Sequence, residues 1–589
     1  MAKSNLKGAL KTEKIGSFGG IYRNSTETND KNESGSFSAW DICNFRILPD
    51  GSIEKREGFS PLMTLSGEPR AFWNGYIDGH EMSLALIESS IYSVDIENER
   101  QNLLGSVASS EGKAEFFFYR GNLYLIDGDN LYEFDGEEFF PVCGYVPLYK
   151  KDADGNYTPE IYEDVNFLSD KIRIHFHLKD IKQYFNFGIK CSEILYFGRR
   201  DSDFTSEATL SEDGMYLTTE NGIPAGSDIF VYLRLSDEYC LRNRLTASRR
   251  ATVYGGVDDG RILLYDGNNK SEVFASKYVP SRDLSESRRF DQNSSVLYFP
   301  ISGTVNISYG RYPITSMCRH YDRLLIFTEK ETWMADFTRD SDLPYIVPIN
   351  SSIGCLSEDG AAMGGNNPYT VSEGGIYRWT SKDDERDECN AFCVSVGIND
   401  MLDTSFFDHA VAYYNRCTDE VWFSDPDSDE QIVWVYSISG NKWFRFDGIP
   451  VDSFFTYRGR VATIYGKYIF SFSKENTVDI GIGGTVKSNI EAFYESNPTD
   501  FGYPERSKHL KRVQAKTIPS GDALSLSFEC DRGGRKLLEI DETGSSDVKY
   551  PTNIDARIDI GRFREMYYAI HASGKGRPRI ISLRLTAFK

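Results

Sequence analysis

The sequence predicts an all-β protein whose largest part is an irregular β-propeller. Aromatic residues make up 14% of the 589 residues, and 50 glycines stand against 20 prolines. Aromatic side chains favour strands, and glycine favours tight turns. Short strand–turn–strand patterns recur every few tens of residues, commonly with an aromatic residue in the same place, as in propeller blades. Helical periodicity is scarce, and the length predicts two or three domains.

The N-terminal segment predicts a polar arm followed by a β-hairpin. Residues 25–36 are polar or charged throughout, which is typical of a mobile loop. From Asp41, an apolar stretch runs into a Pro-Asp-Gly turn that ends at Gly51, and the stretch restarts at Ile53. Glycine adopts a positive φ readily, so the pattern predicts two strands joined by a tight turn. We therefore assign residues 1–65 to an arm and an assembly hairpin.

Two stretches, residues 66–145 and 251–480, carry the blade-like patterns. Their repeats are degenerate, but at roughly 45 residues per blade they hold about seven blades. A β-sandwich assembled from the same hairpins is the alternative architecture. The clearest repeats are residues 116–136, 319–336, 369–380, 419–448 and 456–473.

Two further β domains accompany the predicted propeller. Residues 146–250 contain alternating strands, such as KIRIHFHLKD and SDIFVYLRLSD, and predict a small β domain inserted into the propeller. Residues 481–589 contain four alternating strands, among them ALSLSFECD and RIISLRLTAF. These strands predict a C-terminal β-sandwich.

The charge balance is strongly acidic. The chain carries 66 basic and 88 acidic residues, for a formal net charge of −22. This balance argues against wrapping nucleic acid, because affinity for phosphates needs clustered Lys and Arg. Carboxylates around a channel would instead repel DNA and let it slide without sticking. The alternative is that the acidity only keeps a large assembly soluble.

The cysteine pattern and the hydropathy of the sequence indicate the cellular compartment in which the protein folds. The ten cysteines are scattered without a repeated CxxC motif, and the closest pair is Cys389 and Cys393. This spacing predicts neither a zinc site nor a disulfide scaffold, and it favours reduced thiols in a cytoplasm. The N-terminal residues lack the apolar core of a secretory signal. No run of about 18 apolar residues predicts a membrane-spanning segment, so we expect no membrane insertion.

Two patterns imitate metal sites, and each has a plainer interpretation. His175 and His177 lie on one face of a predicted strand, a spacing that a metal site can use, but no third ligand is evident. A solvent-facing strand is the preferred interpretation. Residues 152–163 imitate a calcium loop, yet Tyr157 occupies the sharp-turn position where such loops need glycine. A polar turn is preferred there.

No motif predicts catalysis. Nucleophile elbows, phosphate-binding loops and the HExxH motif are all absent from the sequence. Among 88 acidic residues some carboxylate pair will always suit glycoside cleavage, but nothing marks a particular pair. We therefore predict a protein that is not an enzyme, with no catalytic, cofactor-binding or metal-ligating residue and no cofactor.

A basic cluster stands out against the acidic background at the start of the last domain. It consists of Arg506, Lys508, His509, Lys511 and Arg512. In an acidic protein such a cluster is a candidate contact with an acidic neighbouring subunit. The alternative is a solvated strand edge protected by Lys and Arg.

The opening hairpin carries a family resemblance. Its Asp-x-x-Asn-x-Arg core comprises Asp41, Asn44 and Arg46, and it is followed by Gly51 and the Lys-Arg-Glu-Gly run at 55–58. This pattern resembles a motif near the start of tailed-bacteriophage tail hub and nozzle proteins and packaged-DNA stabilisation proteins. Further blocks that look like this group lie at 252–268, 296–303, 312–327 and 493–513.

The resemblance implies a structural role in a virion. Such proteins form a homo-oligomeric ring, commonly sixfold, around the DNA channel, in contact with other tail or connector proteins. Duplex DNA would pass through the lumen without sequence-specific binding, and the ring would assemble in the host cytoplasm. We expect the hairpin to act in assembly, with Arg46 and Arg56 bridging to carboxylates. The residues expected to act in assembly are Asp41, Asn44, Arg46, Arg56, Arg506, Lys508, Lys511 and Arg512.

Two alternative functions stay open at this point. Aromatic-rich propeller loops would suit a tail-tip protein that binds host glycan, although the same residues suit a propeller core. A glycan-cleaving propeller enzyme is the third reading of the sequence.

Overall fold

The chain consists of two compact units. A computed structural model describes residues 10–23, 37–151, 157–254, 260–336, 345–380, 390–482, 486–521, 523–540 and 551–588. The central unit comprises residues 67–95 and 100–349. The terminal unit comprises residues 1–66, 96–99 and 350–589. The predicted polar arm at 25–36 lies outside the described residues.

The described residues contain six four-stranded sheets and a seventh group of four strands that belongs to a ten-stranded sheet; these seven groups are the propeller blades, and they confirm the predicted all-β fold class. In six of the seven groups the strands follow one another in chain order. We number the groups as blades 1–7 along the chain, and the central unit contains blades 1–4. Their strands are Pro69–Ile77, His80–Ile87, Ser90–Asp95 and Arg100–Ser106 (blade 1); Glu115–Tyr119, Asn122–Ile126, Leu131–Phe134 and Phe139–Pro141 (blade 2); Arg250–Tyr254, Arg261–Tyr265, Glu272–Ala275 and Thr304–Asn306 (blade 3); and Ile314–His320, Arg323–Thr328, Thr332–Asp336 and Tyr345–Asn350 (blade 4).

Blades 5–7 belong to the terminal unit. In blade 6 every residue of the strand Glu420–Ser424 is buried, as expected for a strand covered on both faces. The strands of the three blades are Ala361–Gly364, Asn367–Ser372, Gly375–Trp379 and Ala391–Cys393 (blade 5); Val411–Asn415, Glu420–Ser424, Val433–Ser437 and Lys442–Phe446 (blade 6); and Ser453–Tyr457, Arg460–Tyr465, Tyr468–Ser473 and Gly58–Thr64 (blade 7).

Blade 7 takes its fourth strand from the N-terminal segment. Gly58–Thr64 pairs antiparallel with Tyr468–Ser473. The Phe59 ring stacks on the Phe470 ring with 4.9 Å between centroids. The N-terminal segment therefore supplies part of the propeller, although sequence analysis placed residues 1–65 outside it.

Glycine-containing turns set the blade hairpins. In blade 2 the strands meet at Arg120 and Gly121, with φ of 50° and 90°. A two-residue turn with positive φ at both positions matches the right-handed twist of the flanking strands, and glycine adopts it without strain. The same arrangement recurs at Asp78-Gly79 in blade 1 and at Arg458-Gly459 in blade 7.

The inserted domain lies between blades 2 and 3 and has its own core. Alternating residues of the strand Lys171–His177, namely Ile172, Ile174 and Phe176, pack into this core. Its larger sheet runs in the order Tyr157–Tyr162, Leu148–Lys151, Lys171–His177, Asp228–Leu235, Cys191–Arg199 and Ser202–Asp203. Its smaller sheet runs in the order Lys182–Asn186, Tyr216–Ile223 and Ala208–Leu210.

The C-terminal domain is a β-sandwich that includes N-terminal strands. In the strand Met566–Ser573 alternate residues are buried, so one face of the sheet packs on the core and the other does not. One sheet contains Leu10–Ile15, Phe45–Ile47, Ile53–Lys55, Arg579–Phe588, Lys508–Ile518, Thr552–Arg557 and Arg562–Phe563. The other continues from blade 6 and contains Phe18–Ile21, Phe37–Cys43, Ala492–Ser496, Met566–Ser573, Ala523–Cys530 and Arg535–Ile540.

Short elements complete the described fold. A two-stranded sheet joins Val478–Ile480 to Val486–Asn489. Among the described residues, no helix has both the length and the apolar run needed to cross a bilayer. The α-helices are Arg242–Thr246, Ser281–Phe290 and Thr404–His409, and the 3-10 helices are Thr205–Glu207, Asp237–Tyr239, Ile301–Gly303, Ile307–Gly310 and Asn399–Met401.

Candidate functional site

Asn44 is the centre of a buried polar cluster that also contains Asp41, Arg46 and Arg56 with their hydrogen-bond and ion-pair partners. We call this cluster the hairpin junction. Asn44 separates the strands Phe37–Cys43 and Phe45–Ile47 and has a φ of 56°. Asparagine tolerates this left-handed conformation better than most residues with a side chain. The Asn44 amide nitrogen donates to the Glu491 carbonyl at 2.7 Å and also to the Asp447 carboxylate. Its amide oxygen accepts from the Asp447 backbone N–H at 3.1 Å.

Arg56 is the most extensively bonded cation of the junction. It is 1% exposed, and its Nε donates to the Asn44 amide oxygen at 2.8 Å. Its two terminal nitrogens donate to the two carboxylate oxygens of Asp479 at 2.8 and 2.6 Å. The same nitrogens also donate to the backbone carbonyls of Glu57 and Asp447 at 3.0 and 3.1 Å. All five N–H donors of the guanidinium are therefore satisfied, as a buried charge requires.

Arg46, the second arginine of the junction, pairs with two carboxylates. Its guanidinium lies 3.2 Å from the Glu420 carboxylate and 3.6 Å from that of Glu57. It also lies over the Phe446 ring, 5.5 Å from the centroid. Burial alone would lower the pKa of Arg46, but the charges of Glu420 and Glu57 raise it above its ordinary value. The same pairing, together with Arg577, lowers the pKa of Glu57, although burial alone would raise it.

Asp41 links the sandwich strand Phe37–Cys43 to blade 6. Its carboxylate accepts two hydrogen bonds from Arg445, at 3.1 and 2.9 Å. Burial alone would lower the pKa of Arg445, but the hydrogen bonds to Asp41 raise that pKa above its ordinary range. The neighbouring Cys43 thiol is buried, and that burial, with the nearby Asp447 charge, raises its pKa. A thiol in this environment stays protonated and unreactive.

The turn of the hairpin docks on the last strand of the chain. Ile53 pairs with Ile580 in the antiparallel register between Ile53–Lys55 and Arg579–Phe588. Gly51 has a φ of 81°, and a Cβ at that position would lie 2.4 Å from the Ser17 hydroxyl oxygen. Glycine is therefore required both for the turn and for the close approach of the preceding strand segment.

The hairpin junction joins four predicted residues to partners that sequence analysis missed. Asp41, Asn44, Arg46 and Arg56 are brought together, and the carboxylates that the two arginines contact belong to the same chain. Their expected role in assembly between subunits stays a prediction. The partners missed were Glu420, Arg445, Asp447 and Asp479.

The predicted basic cluster does not form one surface. Lys508 is 1% exposed, and its ammonium donates to the carbonyls of Tyr503 and Arg506 at 2.6 and 2.8 Å. Burial lowers the pKa of Lys508. Lys511 lies 3.6 Å from the Asp559 carboxylate, and Arg512 pairs with Asp555 on the neighbouring strand.

Arg506 is exposed, and His509 also approaches Asp559, with 3.5 Å between Nδ1 and the carboxylate. The exposed part of the cluster is therefore Arg506, Lys511 and Arg512. A role of these three side chains in assembly stays a prediction.

The two metal-like patterns have different outcomes. His175 and His177 lie on one face, as predicted, and both approach the same oxygen of Asp228, at 3.0 and 2.9 Å. In the part of the chain that the structure describes, no group of three His, Cys, Asp or Glu side chains is placed to hold a metal ion. In the calcium-like pattern, residues 152–156 lie outside the described residues. Its last residue, Glu163, accepts hydrogen bonds from the Tyr145 hydroxyl and the Leu148 backbone N–H.

Comparisons with known proteins yield only distant structural likeness. No protein-family model and no curated protein matches the sequence. One similar solved structure is the AfRom2 CNH domain, with 7% identity, a TM-score of 0.34, and coverage of 71% of this chain and 99% of that chain. Another is Saccharomyces cerevisiae Sqt1, with 9% identity, a TM-score of 0.29, and coverage of 70% and 99%. A chain of a mitotic checkpoint complex shows 8% identity, a TM-score of 0.32, and coverage of 77% and 97%.

Proposed function

We propose that this chain is a structural protein of a tailed-bacteriophage particle. It forms a homo-oligomeric ring, sixfold in our proposal, around the DNA channel at the neck, hub or nozzle. It retains the packaged genome, later lets it pass, and contacts other tail or connector proteins. In this proposal the chain assembles in the host cytoplasm and resides in the virion.

The hairpin junction is the observation that carries the proposal. The residues that bear the family resemblance, Asp41, Asn44 and Arg46, are all members of this buried cluster. The cluster links the hairpin to blade 6 through Arg46, to Asp479 through Arg56, and to the strand Arg579–Phe588 through the strand Ile53–Lys55. A buried charge whose donors are all satisfied, as those of Arg56 are, specifies one arrangement of the elements that it joins. A stiff building block is what a load-carrying ring needs.

The net charge of the chain supports the part of the proposal in which duplex DNA passes through the ring. With a net charge of −22, an annulus of several copies has a strongly negative overall field. Duplex DNA is held weakly by such a surface, since each phosphate contact needs a basic side chain. An acidic ring would therefore guide DNA by its shape and would not retain it by adhesion.

Imaging of the purified full-length protein tests the proposal. Negative-stain electron microscopy is expected to show annular particles with a bore wide enough for duplex DNA. Light scattering after size-exclusion chromatography is expected to give the mass of a closed oligomer. A single-chain mass at every concentration, with no annulus in the images, would overturn the proposal.

A further inference from the structure

A cavity lies between the inserted domain and the helix Ser281–Phe290, both within the central unit. Its volume is about 350 Å³, at the lower end of the range for small-molecule sites. Two neighbouring strands, whose side chains alternate between the two faces of the sheet, form its floor. Ile172 and Ile174 point into the domain core, so the intervening Arg173 and the following His175 project from the opposite face of the sheet.

Aromatic rings form much of the wall. The neighbouring strand contributes Phe230 and Tyr232 to the cavity, again alternating with core residues. The Phe290 ring of the helix lies 4.8 Å from the Tyr196 ring and 5.6 Å from the Tyr232 ring, measured between centroids. The Phe230 ring itself is stacked on the His175 ring, with 4.6 Å between centroids, so the Phe290 side chain is the wall residue that a ring-shaped ligand would contact.

Arg173 is a buried cation with donor capacity left over. It is 5% exposed, its Nε donates to the Val146 carbonyl at 3.0 Å, and one terminal nitrogen donates to the Tyr145 hydroxyl at 3.0 Å. The other terminal nitrogen has no hydrogen-bond partner among the described residues, and no described carboxylate lies within 4.0 Å of the guanidinium. The Glu163 carboxylate accepts a hydrogen bond from the same Tyr145 hydroxyl, and it interacts with Arg173 through its charge without a direct hydrogen bond among the described residues. A buried cation in this position favours an anionic ligand.

The rim adds charges of both signs. Arg200 lies over the Phe230 ring and 3.4 Å from the Glu286 carboxylate, and both side chains are partly exposed. Arg282 and Asp283 complete the rim on the helix. Carboxylates at the rim accept hydrogen bonds from hydroxyl groups, whereas the arginines bind anions.

We propose that this cavity binds an acidic sugar unit, a hydroxylated ring that bears a carboxylate. The carboxylate binds the unused donors of Arg173, the ring lies against Phe290, and the hydroxyl groups contact Glu286 and Arg200. This binding activity goes beyond the proposed structural role and does not depend on it. A protein that fails to form rings can still bind the sugar, and a ring that does not bind the sugar remains a ring.

Calorimetry and saturation-transfer NMR on the full-length protein test the proposal with sodium glucuronate as the probe. Glucuronate is expected to bind, and neutral glucose is expected to bind roughly tenfold more weakly or worse, because it lacks the charged hydrogen bond. Inorganic phosphate is expected to give no saturable binding. Absence of glucuronate binding at about 10 mM, or equal binding of phosphate, would overturn the proposal.

Three variants locate the binding. Arg173→Met is expected to abolish glucuronate binding, and thermal unfolding shows whether this variant folds. If it does not fold, Arg200→Ala and Phe290→Ala decide, since both change half-buried or exposed side chains at the cavity. Each is expected to weaken binding roughly fivefold or more. Arg535→Ala, an exposed arginine of the C-terminal domain, is the matched control, and a loss of affinity equal to that of Arg200→Ala would contradict the proposed location.

Discussion

Arg56 and Asp479, 423 positions apart in the sequence, form a buried two-point ion pair. The distances between the guanidinium nitrogens and the carboxylate oxygens are 2.8 and 2.6 Å. Asp479 also accepts a hydrogen bond from the Phe59 backbone N–H at 3.1 Å, at the start of the strand that completes blade 7. The pair therefore fixes the point at which the N-terminal segment passes from the hairpin into the propeller.

Removal of the Arg56 guanidinium is expected to destabilise the terminal unit strongly. Arg56→Met leaves the Asp479 carboxylate buried without its cation, and loss of one partner of a buried pair costs about 3–5 kcal/mol. Urea unfolding of the full chain measures the change in the free energy of unfolding. Arg535→Met, which breaks the exposed pair with Glu529, serves as the control and is expected to cost at most about 1 kcal/mol. Equal effects of the two substitutions would contradict a special role for the buried pair.

Two substitutions at Asn44 separate its backbone conformation from its side-chain bonds. Asn44→Ala loses the side-chain hydrogen bonds but keeps a Cβ on a residue with a φ of 56°. Asn44→Gly loses the same bonds but adopts that φ freely. The glycine variant is therefore expected to be more stable than the alanine variant by about 1 kcal/mol. Thermal or urea unfolding of the two variants measures this, and a more stable alanine variant would contradict the explanation.

The acid sensitivity of the terminal unit is expected to depend on Glu57. Pairing with Arg46 and Arg577 outweighs burial and lowers the pKa of Glu57 below its ordinary value of 4.5. A carboxyl group whose pKa is lower in the folded state stabilises the fold above its ordinary pKa and loses that contribution as the pH falls through the folded-state pKa. Glu57→Gln should therefore lose less stability than the wild type when the pH falls from 6 into the region below 4.5.

The free energy of unfolding in urea at several pH values checks this prediction. Glu430→Gln, at an exposed position in a blade 6 turn, is the control, and it should leave the loss of stability at low pH the same as in the wild type. A Glu57→Gln profile parallel to that of the wild type would show that the pairing does not contribute to acid sensitivity.

Charge reversal at Arg506 tests the predicted assembly surface. Arg506 is exposed, so Arg506→Glu should leave the free energy of unfolding within about 0.5 kcal/mol of the wild type. If the basic cluster contacts an acidic neighbour, the same change should reduce the oligomer mass seen by light scattering. Arg535→Glu, elsewhere on the same domain, should not reduce it. An unchanged oligomer in the Arg506 variant would exclude this surface from the contact.

Local sequence patterns were sufficient for the fold class because each blade is closed by short-range hairpins. The turn at Arg120-Gly121, for example, is predicted by a glycine that follows an apolar strand. Alternation identified the sandwich strands, since a strand such as Met566–Ser573 buries every second residue. Strand order in the sandwich was not accessible, because pairing between distant strands leaves no local signal.

The junction shows where sequence reasoning stops. Every residue from Asp41 to Phe45 is buried, so a two-residue alternation does not mark the break between the two strands at Asn44. The partners Glu420 and Asp479 carried no signal either, because an acidic residue in a blade looks the same whether it faces solvent or a distant arginine.

The strand Gly58–Thr64 has a consequence for biosynthesis. The ribosome releases this strand early, but the three strands with which it shares a sheet, Ser453–Tyr457 through Tyr468–Ser473, emerge hundreds of residues later. Leu10–Ile15 must wait longer still, for the final strand Arg579–Phe588. Such long-range pairings make folding slow. A polypeptide cut short during translation leaves both early strands with unpaired edges, so only the finished product can reach the native state.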